Sequence, residues 1–428
     1  MWLIERGGDG QEPQRIIVPP LLVQALVRWY SGKGLRADEE VGIMLVQQAR
    51  IGGKWIACAC KGPMAPPPIL TPAYLCEAET YYLRRLTARN RPEHETGCPF
   101  FRDQATNRIT QTGRAPGSAA PPSAYFVALR PAPEKLAQRP ANGPIDDRTR
   151  QLPTPRLARL LWRLIDLAGV NHCHVHRCAA PPSISSAFNA LISVTRNIEI
   201  APGIELARAF FTHPQSLRKG HVFSRLQAME KDWPSGHAPQ AFLALFAHHI
   251  QGTTLYVADG PPLTIANRIQ SPSTGDNRIG GPYLVLILVG QYPETHGYAA
   301  LRGYAQPIYS GQRFVPVDTT FARDVMRALL ALRAPLDRHG IDLHLEKPLF
   351  DILTPLGPCR PDLLLEARSR RTGQCRQLAV DIDGQDMHPI LRTEHRDQAA
   401  RIAPVLTISP PDLGQSRLIQ RLCMALNL

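Results

Sequence analysis

Long apolar runs are missing from this 428-residue chain. The longest, Tyr283 to Gly290 (YLVLILVG), is strand-sized, whereas a membrane-spanning helix needs about 20 apolar residues. The opening MWLIERGGDGQEPQR holds no apolar segment of the secretory kind, so the expected location is cytoplasmic, in a bacterial-type cell, with no membrane partner. Three catalytic signatures are absent as well: a Gly-rich phosphate loop ending in Lys-Ser/Thr, G-x-S-x-G, and H-E-x-x-H. ATPase, serine hydrolase and zincin readings lose their main support. Acidic side chains are outnumbered, 36 against 49 Lys plus Arg, for a net charge of +13. Lysine is scarce, so arginine carries nearly all of that charge, and its planar fork suits bidentate contact with phosphate. The charge points to nucleic acid rather than a lipid surface, because no long basic amphipathic stretch accompanies it. Cysteines number nine, and Cys58 and Cys60 are separated by a single residue. That usage fits reduced thiols and metal ligands better than a disulfide scaffold.

Apolar residues make up 44%, too many for wholesale disorder, and the length exceeds one compact core. The patterning predicts a multidomain α+β protein in four parts. Residues 1–102 form an N-terminal module. In it Arg15 to Trp29 starts extended and turns helical after Pro20, and Lys54 to Cys60 is a strand. Thr71 to Arg89 reads as a helix carrying Leu75, Tyr82, Leu83 and Leu86 at helical spacing, with Cys76 packed on it. Residues 103–155 hold nine prolines and read as linker, broken only by the strand-like Ala124 to Leu129. Residues 156–318 mix helices (Pro155 to Ala168, Ser183 to Thr195, Leu217 to Lys231) with strands such as Tyr283 to Gln291 and Gly297 to Ile308. Residues 319–428 are the most legible. A helix, Thr320 to Arg338, precedes three strands: Asp342 to Ile352, Arg360 to Glu366 and Arg376 to Asp383. A helix from Arg392 to Ile402, a strand from Pro404 to Ile408 and a helix from Leu413 to Leu426 close the chain.

Within that last part, Pro361-Asp362 opens one strand and Asp381-Ile382-Asp383 ends the next. Asp381 and Asp383, two apart on a strand, project to one face. Hard carboxylate oxygens gathered there suit Mg²⁺ or Mn²⁺, which can orient an attacking water and neutralise charge on a scissile phosphate. This motif and strand order resemble the PD-(D/E)XK nuclease-like superfamily over roughly the last quarter of the chain. The group includes restriction endonucleases, Holliday-junction resolvases and transposon end-cleaving enzymes. The resemblance implies an α/β restriction-endonuclease-like domain of αβββαβ order, with Asp362 and Asp381 as magnesium ligands. It departs at one place. Where the family has a catalytic lysine, this chain has Asp383. Lys347 is the best substitute, since Arg392 and Arg396 cannot act as bases; His388 and His395 are further proton-transfer candidates.

Near the N-terminus, Cys58, Cys60, His94 and Cys98 form C-x-C … H-x₃-C, three thiolates and an imidazole. That is the donor set of a closed structural zinc site, and the pattern broadly resembles zinc-finger variants with a C-x-C half. Packing of the cysteines in the core is the alternative. A second cluster, His172-Cys173-His174-Val175-His176-Arg177-Cys178, has no carboxylate or partner pair nearby in sequence and reads as a polar loop.

These features describe a nucleic-acid-binding protein, with DNA the expected partner, and a metal-dependent nuclease-like domain able to hydrolyse phosphodiesters. A faint overall resemblance to uncharacterised proteins of bacterial mobile elements implies transfer, integration or defence, with protein partners from such complexes. Two rivals remain: a catalytically inactive nuclease-fold platform that binds DNA, and a zinc-stapled protein adaptor. From Arg84 to Arg159, 14 Lys/Arg face 6 Asp/Glu, either as a solvated segment or as a nucleic-acid-contacting arm. The arm reading makes a prediction. Affinity for DNA should fall steeply with salt, and deleting residues 108–150 should weaken binding to all sequences alike and flatten the salt slope. Filter binding across a salt series measures both, and salt-independent affinity contradicts the arm.

Overall fold

The computed structural model describes residues 1–5, 15–30, 36–62, 65–75, 80–86, 92–101, 155–173, 183–201, 203–233, 239–258, 260–274, 277–292, 297–383 and 389–426. The expected linker and its Ala124 to Leu129 strand fall outside these residues, as do Cys76 and His388. Two compact units emerge, one running through Phe101 and one from Pro155 onward.

The first unit is an antiparallel sheet of five strands in the order Ile16–Ile17, Trp2–Glu5, Lys54–Ala57, Ile69–Leu75, Thr80–Arg85, with helices Pro20–Tyr30 and Arg36–Ile51. The helix expected over Thr71 to Arg89 is instead a β-hairpin, with Pro72 opposite Leu83 and Tyr74 opposite Tyr81. Tyr82, Leu83 and Leu86, seven, eight and eleven residues beyond Leu75, imitate a helical face, but Thr80, Tyr81 and Tyr82 favour the pleated surface here. Tyr81 and Leu83 alternate inward, and the Tyr74 and Tyr81 rings meet at 4.9 Å. The strand expected to reach Cys60 stops at Ala57. Cys58 N–H still donates to Pro68 O, and then Gly62, at φ +77°, closes a turn onto Ala59 O.

The second unit has two sheets. One is eight-stranded and centred on the long strands Ala241–Gln251, Tyr283–Tyr292 and Gly297–Ser310, whose apolar runs are buried on both faces. Helix Arg156–Leu167 packs on it, and Trp162 Nε1–H donates to the buried Gln306 Oε1 at 2.8 Å. The helix expected over Leu217 to Lys231 is two, Pro214–Arg218 and His221–Ala228, because Gly220 between them sits at φ +72°.

The other sheet runs Val405–Ile408, Cys375–Ile382, Leu363–Ser369, Ile341–Glu346, His172–Cys173. All neighbours are antiparallel except the first pair, which is parallel across the helix Pro389–Ala399. Alternation divides its faces. Leu363, Leu365, Leu378 and Val380 join helices Thr320–Ala331 and Gln415–Leu426 in one core. Leu364 and Ala379 meet Ala399 and Ala403 on the other side. The strand expected over Asp342 to Ile352 ends at Glu346, and a separate hairpin, Ile352–Thr354 with Gly357–Cys359, follows. His172 and Cys173, expected in a loop, form a short edge strand; the rest of that cluster lies outside the described residues.

Fully buried Asn171 fixes where this sheet delivers Lys347. Lys347 N–H donates to Asn171 O, and Asn171 Nδ2 donates to Lys347 O, both at 3.0 Å. Asn171→Ala should therefore destabilise the second unit by about 1–3 kcal/mol, because a buried carbonyl loses its donor. Urea unfolding of the full chain measures this, and an unchanged midpoint would show the clamp to be idle.

Candidate functional site

Asp381 follows the parity of Ala379 and so faces the helix Pro389–Ala399 rather than the larger core. It is 5% exposed. Arg396 Nε donates to its Oδ2 at 2.6 Å, and His395 Nδ1 stands 3.9 Å from its Oδ1. The other His395 nitrogen, Nε2, lies 3.1 Å from Arg360 O; a carbonyl only accepts, so Nε2 carries the proton. Asp383 faces the same way and pairs with Arg392. The four-residue spacing of the arginines advances about 6 Å along the helix, close to the two-residue step of the strand. Two matched ion pairs result.

Asp362 is tied to the residues on either side of Asp381. Its N–H donates to Val380 O at 3.2 Å, and its Oδ2 accepts from Ile382 N–H at 2.7 Å. Lys347, 5% exposed, turns its ammonium to Asp318 Oδ2 at 2.5 Å. Lys347, Asp318 and Asp362 line one small pocket with Thr319, Met326 and Ile382. Asp318 was not singled out from sequence. Its neighbour Thr319 caps the helix Thr320–Ala331 by accepting from Ala322 N–H, and an acid beside a cap reads as helix-start chemistry. The sheet thus brings Asp362 to the Asp381 strand and to Lys347, while Asp383 engages Arg392.

Magnesium takes only one or two carboxylates and keeps several waters. Asp381 and Asp362 each accept through Oδ2 from a described donor, and carboxylate is the residue type such an ion takes. Asp318 is the nearest further acid to the amine.

In the N-terminal unit the four donors close tightly, all within 4.8 Å of one another. Cys58 Sγ lies 3.7 Å from Cys98 Sγ, and His94 Nδ1 lies 3.7 Å from Cys60 Sγ and 3.4 Å from Cys98 Sγ. A tetrahedral zinc with bonds of about 2.3 Å to sulfur and 2.0 Å to nitrogen separates its ligands by about 3.5–3.8 Å. The cluster fits that ion. Turns from Cys58 through Gly62 and from Glu95 through Cys98 aim the donors inward, where Cys58, His94 and Cys98 are buried. Burial, reinforced by the neighbouring thiols Cys98 and Cys60, pushes the Cys58 thiol up to about 12 and raises Cys98 too. Burial, with Arg85 and Lys61 adding repulsion, lowers His94 to about 4.

Three family models match successive parts of the chain. Residues 318–425 match a restriction endonuclease-like C-terminal domain. The match begins at Asp318 and encloses Lys347, Asp362, Asp381 and Asp383. Residues 1–104, which hold all four metal-cluster residues, match a domain of unknown function (DUF8534), and residues 118–308 match another (DUF8535). No curated protein and no solved structure matches the chain.

Cys58→Ser should lower the zinc content of purified, reduced protein by one ion per chain and loosen the N-terminal unit, since site formation and folding are coupled. Elemental analysis and thermal unfolding measure the two effects, and unchanged zinc would return these residues to the core. Acid acts in the same direction. Metal-free, folded His94 stays neutral down to about 4, while in the unfolded chain it protonates near 6.5. The unfolded state binds the extra proton in that window, so stability should fall as the pH drops from about 6.5 to 4. A His94→Gln variant should lose that dependence.

Proposed function

We propose that this chain binds nucleic acid, with DNA its expected substrate, and that its C-terminal domain is a divalent-metal-dependent phosphodiesterase of PD-(D/E)XK type. The observation that carries this reading is the bond from Ile382 N–H to the Asp362 carboxylate, which holds one acid beside the Asp381 strand within a restriction endonuclease-like domain. In the reaction, water attacks phosphorus and one ester oxygen departs. Asp362 and Asp381 would hold a Mg²⁺ or Mn²⁺ ion, which supplies charge neutralisation at the phosphate and a more acidic water. Lys347 offers an amine able to exchange a proton near Asp362, while Arg396 and Arg392 stay charged and suit the phosphate oxygens. The Cys58, Cys60, His94 and Cys98 cluster holds structural zinc in this reading, and the basic residues between Arg84 and Arg159 contribute sequence-independent affinity. Work on mobile-element DNA or in defence, alongside protein partners, extends the same reading.

A second reading keeps the fold and drops the chemistry. It is favoured by Asp383 at the lysine position and by the occupation of both strand-end acids by arginines. A panel of duplex, single-stranded, branched and RNA substrates with Mg²⁺ or Mn²⁺ separates the two. Cleavage is expected, lost in Asp362→Ala and Asp381→Ala with binding retained, and slowed about 100-fold or more in Lys347→Ala. Metal-dependent binding without cleavage on any substrate establishes the platform instead.

A further inference from the structure

The sheet of the N-terminal unit has a second face. Helix Arg36–Ile51 packs on the strands Lys54–Ala57, Ile69–Leu75 and Thr80–Arg85, where Ile56, Leu70, Tyr81 and Leu83 are buried. Alternate residues of the same strands point away from that helix. Register carries this outer face across all five strands. Tyr82 lies opposite Ala73, and Arg84 opposite Thr71. Ile69, which shares their face, lies opposite Ala57. Trp2 lies between Ala57 and Ile17, and Trp55 opposite Ile4. Trp2, Trp55 and Tyr82 are partly exposed, Arg84 is exposed, and Ile17 is 79% exposed. Trp2 and Trp55 are diagonal neighbours on adjacent strands, about 7–8 Å apart, a gap that aromatic side chains span. The guanidinium of Arg15, itself exposed, lies 5.4 Å from the Trp2 ring. Among the described residues this face holds no Asp or Glu. Glu5 and Lys54, which pair with each other, belong to the helix-side face.

We propose that this face is a platform for single-stranded nucleic acid, with bases stacked on Trp2, Trp55 and Tyr82 and phosphates held by Arg15 and Arg84. Every base has a flat face that stacks on an aromatic ring, so the platform needs no sequence preference. An arginine plane beside a ring serves either stacking or phosphate contact. Arginines at both edges and an absence of acid complement a polyanion. Single strands fit better than duplex, because their unstacked bases can splay out onto the rings. The inference goes beyond the nuclease reading: it assigns single-strand affinity to the N-terminal unit whether or not the C-terminal domain cleaves. It rests only on the chain's binding nucleic acid.

The test uses the full chain with labelled dT and U strands of about 20 nucleotides, longer than one such platform covers, and a duplex of equal length. Fluorescence anisotropy gives affinity, and quenching of tryptophan emission reports stacking. Single strands should bind and quench. Tyr82→Ala, Trp55→Ala and Trp2→Ala should each weaken that binding about 10-fold or more, with duplex affinity held within about 2-fold. Tyr82→Phe, which keeps the ring, should restore most of the loss. Arg84→Gln should flatten the slope of log affinity against log salt by about 0.7. The Tyr82 and Arg84 side chains reach the surface, so their variants decide the matter if a tryptophan variant fails to fold. Duplex binding without single-strand binding overturns the platform and leaves the nucleic-acid reading standing, whereas no binding to any of the three overturns both. Single-strand affinity that is unchanged in Tyr82→Ala and Arg84→Gln, or that falls equally with duplex affinity, also overturns the platform and leaves the face to a protein partner.

Discussion

Buried charge is the constraint on which the C-terminal domain depends. A carboxylate withdrawn from water is costly unless a cation or several donors compensate it, and removing one partner costs far more than removing both. Among its described residues, three buried charges meet it with a charge of opposite sign. Asp381 has Arg396, Lys347 has Asp318, and Asp412 has Ser409, Arg417 and Arg421. At Asp412 burial alone would raise the carboxyl, but the Ser409 hydroxyl and N–H together with Arg421 outweigh it and hold the group near 2. Each pair ties a strand end or loop to a helix, so the charges fix where the elements stop. The apolar faces decide that the sheet forms; the charges decide its edges.

Much of this domain was legible because its periodicities are clean. Leu378, Val380 and Leu363, Leu365 alternate as strand residues do, and Val325, Leu329 and Leu332 recur as on a helix. The main helices and strands of residues 319–428 were therefore recognisable, apart from the hairpin Ile352–Thr354 with Gly357–Cys359. The N-terminal hairpin was not, because Leu75, Tyr82, Leu83 and Leu86 satisfy a helical template by coincidence, and what decides between the templates is the partner strand Lys54–Ala57. Asp318 was illegible for a related reason. It stands 29 positions from Lys347. Local pattern carries no information about contacts that only strand order creates.

The grouping of the three cysteines and one histidine was legible where the other cluster was not because these residues arrive in pairs on tight turns. Cys58 and Cys60 flank Ala59, and a turn from Glu95 returns the chain at Cys98. Such knuckles are local, and a motif reading detects them. Hard and soft donors are segregated accordingly: thiolates in the N-terminal unit, carboxylates at the strand ends of the restriction endonuclease-like domain. Under the proposed reading that division would let two ions of different chemistry be held by one chain without competition.

The paired spacing of Arg392 with Asp383 and Arg396 with Asp381 bears on how phosphate would be received under the proposed reading. An arginine that leaves Asp381 for a phosphate oxygen would strand a buried carboxylate, and the cost of that step would have to be met by another cation. A divalent ion held at Asp381 and Asp362 would meet it directly. Phosphate and metal would then bind cooperatively: either ligand alone breaks an ion pair, whereas the two together exchange one set of charge pairs for another. The same pairing holds the strand end and helix in register without ligand, which is why the geometry is compatible with an enzyme and with a platform. Lys347 breaks that symmetry. Its amine pairs with Asp318 and lines the same pocket as Asp362, and under the proposed nuclease reading proton transfer during cleavage would be its role.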